Sequence, residues 1–175
     1  KEQIEKETGK IFAAKIPDMK FINKASISRE IQILQSNHPS ISKFIGFCAF
    51  DFENQRRPVI ITQFCSNRSL KQIFELKRSN QALNGWTNTK KLINIYGIVS
   101  AMSYLHSKQI MHLDLKLSNI LEDDHLYPQI SDFGLSQTSN ENTIFNNSAP
   151  NLSVGAPVYA APELLTGKLS TTAAD

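Results

Sequence analysis

The stretch His112-Leu113-Asp114-Leu115-Lys116-Leu117-Ser118-Asn119 constrains this chain more than any other. It places an acid, a base and an amide (Asp114, Lys116, Asn119) within six residues, between two apolar runs. Upstream, Tyr104-Leu105-His106 reads as a helix end and Ile110-Met111 as a short buried strand. Downstream, Ile120-Leu121 and Gln129-Ile130-Ser131 read as another pair of short strands, leading into Asp132-Phe133-Gly134. Two carboxylates, Asp114 and Asp132, thus each leave a buried strand, with Asn119 between them. Such a set can hold a divalent metal against phosphate oxygens while one carboxylate orients an incoming hydroxyl.

The remaining elements follow from periodicity and turn signals. Residues 1–16 read as two strands joined at Thr8-Gly9-Lys10, the second placing Lys15 among apolar neighbours before Pro17. Taken alone, Lys15 is as well explained by a lysine facing water. Residues 26–35 predict a helix capped by Ser26 or Ser28, with Ile27, Ile31 and Leu34 on one face and Glu30 beside them. Ile41 to Phe50 and Val59 to Thr62 predict a hairpin around the polar turn Asp51 to Pro58. Ser69 and Gln72 predict a capping box. From Thr89 to Ser107 a stripe of Leu92, Ile95, Val99, Met102 and His106 predicts a long helix whose stripe is core. His112 lacks a His or Cys at ligand spacing and reads as a buried structural histidine. Asp132 to Glu163 is a polar segment rich in Ser, Thr and Asn, the length of a functional loop.

Composition adds exclusions. A net charge of +3, spread along the chain, gives no case for nucleic acid or membrane as partner. No apolar run approaches the roughly 18 residues a spanning helix needs, and the N-terminus has no signal-peptide pattern. Cys48 and Cys65 stand far apart in apolar stretches and read as buried thiols in a reducing, cytoplasmic compartment.

The order H-x-D-L-K-x-x-N, D-F-G and Ala161-Pro162-Glu163, with Ala13-Ala14-Lys15-Ile16 upstream, resembles the protein-kinase catalytic domain of serine/threonine type. The resemblance implies an α+β, two-lobed protein-kinase-like fold: residues 1–65 a partial β-rich N-lobe with the hinge, residues 66–175 a partial, mainly helical C-lobe. It also implies ATP and Mg2+ as cofactors and Ser/Thr hydroxyls of proteins as acceptors. Catalysis would fall to Asp114, which accepts the hydroxyl proton, to Lys116, which offsets phosphoryl charge, and to Asn119. Metal would be held by Asn119 and Asp132. Nucleotide contact would fall to Ala13, Lys15, Glu30, Thr62, Gln63, Cys65 and Leu121, with Glu30 pairing Lys15 and residues 63 to 65 forming the hinge. His112 would stack in a column with Leu34, Phe44 and Phe133. The polar segment would be an activation segment, with Ser136, Thr138, Ser139, Thr143, Ser148 and Ser153 as candidate phosphosites.

Three positions depart from the family pattern. Arg68 stands where Gly is frequent, Leu113 where many members carry Arg, and Ala156 where serine/threonine kinases usually carry Thr. The Gly-rich phosphate loop of the family would lie ahead of Lys1, and the chain reads as a piece of a longer domain, not expected to turn over alone. Leu113, Ala156 and the missing Gly-rich loop motivate the alternative of a pseudokinase used as a nucleotide-binding or scaffolding module. Oligomeric state is left open.

Overall fold

A computed structural model of the chain describes residues 2–5, 10–17, 24–81, 83–138, 157–165 and 171–175. The first part is a four-stranded antiparallel sheet with strand order β1-β2-β4-β3, formed by β1 (Glu2–Glu5), β2 (Ile11–Lys15), β3 (Phe44–Cys48) and β4 (Val59–Gln63). The expected β3–β4 hairpin forms, with a bulge at Ile45 between the Phe44–Thr62 and Gly46–Ile61 pairs. The Thr8-Gly9 part of the predicted turn lies outside the described residues. Because β3 is an edge strand, only part of it is covered; Phe47 is half exposed and Cys48 is exposed, not buried as its apolar surroundings suggested. Cys65 is buried, as expected.

Helix α1 (Lys24–Leu34) begins before either serine predicted as its cap, so Ser26 and Ser28 lie inside its first turns. Its buried face is Ile27, Glu30, Ile33 and Leu34, with Ile31 only packed against the core. Helix α2 (Leu70–Arg78) has the predicted capping box, Ser69 accepting from the Gln72 amide while the Gln72 side chain accepts from Ser69 N–H. Arg68, just ahead, adopts φ +70, which explains why a glycine suits that position.

Helix α3 (Asn88–Ser107) is the predicted long helix, but it is turned differently from its apolar stripe. Asn94, Gly97, Ala101, Met102 and Leu105 face inward, while Leu92, Ile95 and Val99 are about 60 % exposed or more. Small residues decide this. A Cβ at Gly97 would sit 2.6 Å from Pro128 Cγ and 2.8 Å from Ser40 Oγ, so only glycine admits that approach. The mid-helix glycine costs about 1 kcal/mol in propensity, which the close packing of α3 against the 128–130 strand offsets.

The second part is built on short paired strands. β5 (Ile110–Met111) pairs with β8 (Gln137–Thr138), and β6 (Ile120–Glu122) with β7 (Pro128–Ile130), matching the strands expected on either side of the central stretch. The Asp132 to Glu163 segment is thus not wholly irregular: it contains β8, a 3-10 turn at Pro157–Tyr159 and the short helix α4 (Pro162–Leu165). The main core cluster joins both parts, uniting Ile27, Leu34 and Ile60 with Leu105, Ile130 and Phe133.

One buried carboxyl is unexpected. Glu122 has no exposed surface, its N–H donates to Arg68 O, and its Oε2 accepts from Asn94 Nδ2 at 3.3 Å. Burial, reinforced by the neighbouring Asp123 charge, outweighs the Asn94 hydrogen bond and Lys90 and pushes the carboxyl up to about 7. The folded state therefore favours the protonated acid. Its contribution to stability is complete below the ordinary carboxyl range and is lost as pH rises through about 7. His112 and His38, both lowered by burial, act oppositely, losing stability as pH falls below the ordinary histidine value. We expect Glu122→Gln, an isostere of the acid form, to melt above wild type at pH 8 and to lose that advantage by pH 5. Thermal melts across that range check it; a constant difference between the two proteins contradicts it.

Candidate active site

Lys15 is the last residue of β2, and its pairing with Ile60 of β4 fixes where its side chain leaves the sheet. Its Nζ lies 2.7 Å from Glu30 Oε1 and 2.5 Å from Asp132 Oδ1. Glu30 is 2 % exposed, a burial that a carboxylate tolerates only with such a partner. Burial works against the Lys15 charge, but the Glu30 and Asp132 carboxylates and the hydrogen bonds they accept raise it above the ordinary lysine value. The ammonium form is thereby held. A cleft opens beside this cluster, lined by Ala13, Lys15, Glu30, Thr62, Leu121 and Asp132 among others. Ala13 and Thr62 are directly paired across β2 and β4. Gln63 and Cys65 do not line this cleft: Gln63 is exposed with its N–H donated to Lys43 O at 2.9 Å, and Cys65 is buried.

The central stretch forms a second cluster. Lys116 Nζ donates to both oxygens of Asp114, at 2.8 and 2.7 Å. Asn119 Nδ2 donates to the Asp114 backbone carbonyl and to Asp114 Oδ2, both at 2.8 Å. The Asn119 backbone carbonyl accepts from Ser131 N–H and Ser131 Oγ, so the residue before Asp132 is tied to the residue that grips Asp114. His112 is fully buried, and burial lowers its pKa against the opposing effect of Asp175, the Ser131 carbonyl, Asp114 and Asp132. The ring is therefore neutral. Nδ1 accepts from Asp114 N–H at 3.2 Å, which puts the proton on Nε2, 3.3 Å from the Ser131 carbonyl. This is the structural histidine the sequence suggested. Its ring lies 4.9 Å from that of Phe133, and Leu34 and Phe44 pack into the same core.

As a metal site, the arrangement is partial. Among the described residues no group of three His, Cys, Asp or Glu could cage an ion. What is present is the Asp132 carboxylate, open to the cleft, and the Asn119 amide oxygen, its nitrogen committed to Asp114. Hard oxygen ligands of this number suit Mg2+, which keeps waters and takes most of its coordination from phosphate oxygens.

Ser136 does not fit the role of phosphosite. It is 1 % exposed, and its hydroxyl donates to Phe133 O at 2.6 Å. Thr138 lies on β8 and is partly exposed; Ser139, Thr143, Ser148, Ser153 and Ala156 fall outside the described residues.

One site residue escaped sequence reasoning. Leu113 adopts φ +61, costly for a branched residue, and Asp175 holds it there. Asp175 Oδ1 accepts from Leu113 N–H at 2.7 Å and Oδ2 from His112 N–H at 2.8 Å, with His106 Nε2 3.0 Å from the same oxygen. The side chain is 1 % exposed. The only local signal is the turn Thr172–Ala174, capped by Thr171, which delivers an acid inward. We expect Asp175→Ala to strand the His112 and Leu113 N–H groups and cost about 2 kcal/mol, with Asp175→Asn losing less. Urea unfolding of the full-length protein measures it; an unchanged midpoint would remove Asp175 from this role.

The whole of residues 1–175 matches the protein kinase domain model. The chain is 33% identical over 172 residues to serine/threonine-protein kinase polo of Drosophila melanogaster, covering 95% of this chain and 27% of that protein. It is 36% identical over 179 residues to the cell cycle serine/threonine-protein kinase CDC5/MSD2 of Saccharomyces cerevisiae, covering 96% and 23%. It is 31% identical over 180 residues to serine/threonine-protein kinase RAD53 of the same yeast, covering 100% and 20%. The chain spans about a quarter of the length of the curated relatives it matches. With Lys15 joined to Glu30 and Asp132 above an Asp114–Lys116–Asn119 cluster, and the family match running end to end, this chain belongs to the protein kinase domain family.

Proposed function

We propose that the protein is an ATP- and Mg2+-dependent serine/threonine protein kinase, with residues 1–65 carrying the nucleotide-facing sheet and hinge and residues 66–175 the catalytic loop and activation segment. The observation that carries this is the Lys15 ammonium held between Glu30 and Asp132, adjoining a carboxylate already gripped by Lys116 and Asn119. Phosphoryl transfer needs positioning and charge neutralisation more than covalent help, and these residues supply both. Lys15 would bind the α- and β-phosphates of ATP, with Ala13, Thr62 and Leu121 against the adenine and the Gln63 to Cys65 backbone at its edge. Asp132 and Asn119 would hold Mg2+, which neutralises charge on the phosphate oxygens when bound. Asp114 would orient the acceptor hydroxyl and take its proton on a carboxylate oxygen. Lys116, now occupied by Asp114, would meet the charge of the transferring group.

Lys116 two residues after Asp114 and relatives named as serine/threonine kinases support Ser and Thr hydroxyls of proteins as acceptors. No described helix is long and apolar enough to cross a membrane. Both cysteines are free thiols, which favours the cytoplasm as its compartment.

Calorimetry on the full-length protein should show Mg·ATP binding that Lys15→Met and Asp132→Asn each abolish or weaken severely, whereas Asp114→Asn should lower kcat by about two orders of magnitude or more with ATP affinity nearly unchanged. Equal affinity in wild type and the first two variants would sink the assignment. Absence of turnover in wild type on a broad peptide library, with binding retained, would instead favour a nucleotide-binding scaffold.

Leu113 bears on regulation. An arginine here would place a charge beside Asp114 that a phosphate on the activation segment could neutralise; leucine offers no donor. We expect phosphatase treatment to leave most wild-type activity in place, and Leu113→Arg to make activity more dependent on phosphorylation. Near-complete loss of wild-type turnover on dephosphorylation would contradict this.

A further inference from the structure

The turn after Asp132 is closed by one residue. Ser136 donates both its N–H (3.1 Å) and its hydroxyl (2.6 Å) to the Phe133 carbonyl, and it is buried. The Ser136 carbonyl in turn accepts from Arg29 Nη1 at 2.9 Å. Arg29 sits on α1 immediately before Glu30, which pairs with Lys15. The next residues, Gln137 and Thr138, form β8 against Met111 and Ile110 of β5, the strand that runs into His112 and Asp114. Residues 136 to 138 are therefore tied on one side to the helix carrying Glu30 and on the other to the strand feeding Asp114.

We propose that Arg29 and Ser136 are positioning residues: together they strap α1 to the Asp132 turn, so that Glu30, Lys15 and Asp132 stay in register through a charged-donor bond to a backbone carbonyl. This rests on the kinase reading above for its functional consequence, but the strap itself is a structural statement with its own readout. The Arg29 contact at issue is to the Ser136 backbone carbonyl. Its effect passes through α1 to Glu30 and through the turn to Asp132, so it belongs in the steps that depend on nucleotide placement.

A hydrogen bond from a charged donor, partly screened here, is worth about a tenfold change in an equilibrium or rate. Arg29→Met in the full-length protein should raise the KM for ATP and lower kcat by about that factor while leaving the peptide KM unchanged. Arg29→Lys, which keeps a charged donor, should recover part of the loss. Ser136→Ala should act in the same direction with a smaller effect. A residue that merely supports the fold would lower the melting temperature and leave this split and its rescue unseen. Hydrogen exchange supplies the readout that needs no activity. Amides of residues 136 to 138 should exchange about tenfold faster in Arg29→Met than in wild type, and Arg29→Lys should slow them again. If those amides exchange alike in wild type and Arg29→Met, the strap is wrong, whatever the kinetics. If the exchange differs but wild type neither binds Mg·ATP nor turns over, the strap stands and the kinase reading falls. A peptide KM that shifts as much as the ATP KM would overturn the assignment to nucleotide placement.

Discussion

Everything in the site depends on one ammonium shared by two carboxylates. Lys15 and Glu30 are 15 residues apart in sequence and Lys15 and Asp132 are 117 apart, yet all three meet within hydrogen-bond distance. Withdrawing a charge from water costs several kcal/mol, and Glu30 is almost wholly buried. Burial works against the Lys15 charge, and the Glu30 and Asp132 carboxylates together outweigh it and hold the charged form. The cluster is therefore a condition on the fold as much as a feature of it. Sheet, helix and catalytic segment must all arrive together, because a buried carboxylate left without its partner is worse than none.

Backbone hydrogen bonds make that arrival reproducible. Ser42 N–H donates to Ile130 O and Ile130 N–H to Ser40 O, at 2.9 and 2.8 Å, and Ile41 bridges Ile130 in parallel. The connection ahead of β3 is thus locked onto β7, two residues before Asp132. On its other side the Ser131 N–H is held by Asn119 O. Asp132 itself takes φ +69, a conformation non-glycine residues seldom adopt. Its strain is held by neighbours that are all fixed by main-chain bonds, and side-chain chemistry is then laid on a rigid frame.

What the sequence disclosed follows the range of the interactions concerned. The Ser69–Gln72 capping box, the β3–β4 hairpin and the short strands around the central stretch are local, and their residues declare them. Lys15 and Glu30 are placed by motif order, since periodicity alone explains Lys15 equally well as a lysine facing water. The errors arise where the third dimension chooses. On α3 the apolar stripe of Leu92, Ile95 and Val99 is more conspicuous than Gly97 and Ala101, but close approach of Pro128 and Ser40 selects the small residues for the inner face. Cys48 shares its apolar run with buried residues, and only strand order shows that it sits at an edge. Asp175 acts on N–H groups more than sixty residues away, with no pattern to connect them. The same holds for Glu122, whose burial depends on Asn94 of α3 coming within reach.

The departure at Leu113 also takes its meaning from three dimensions. What the site requires of position 113 is its backbone: a left-handed φ and an N–H aimed at Asp175, which together turn the chain so that Asp114 meets Lys116 and Asn119. Neither requirement depends on the side chain beyond tolerance of that φ. An arginine and a leucine pay nearly the same conformational cost there, so the exchange leaves the placement of Asp114 intact. What the exchange removes is a cation adjacent to Asp114 in the chain. The placement of Asp114 and the charge carried at residue 113 are thus separable, the first set by main-chain atoms and the second by the side chain. Lys15, Glu30, Asp114, Lys116, Asn119 and Asp132 are all present, and the main chain at residue 113 keeps Asp114 with Lys116 and Asn119 whatever side chain it carries.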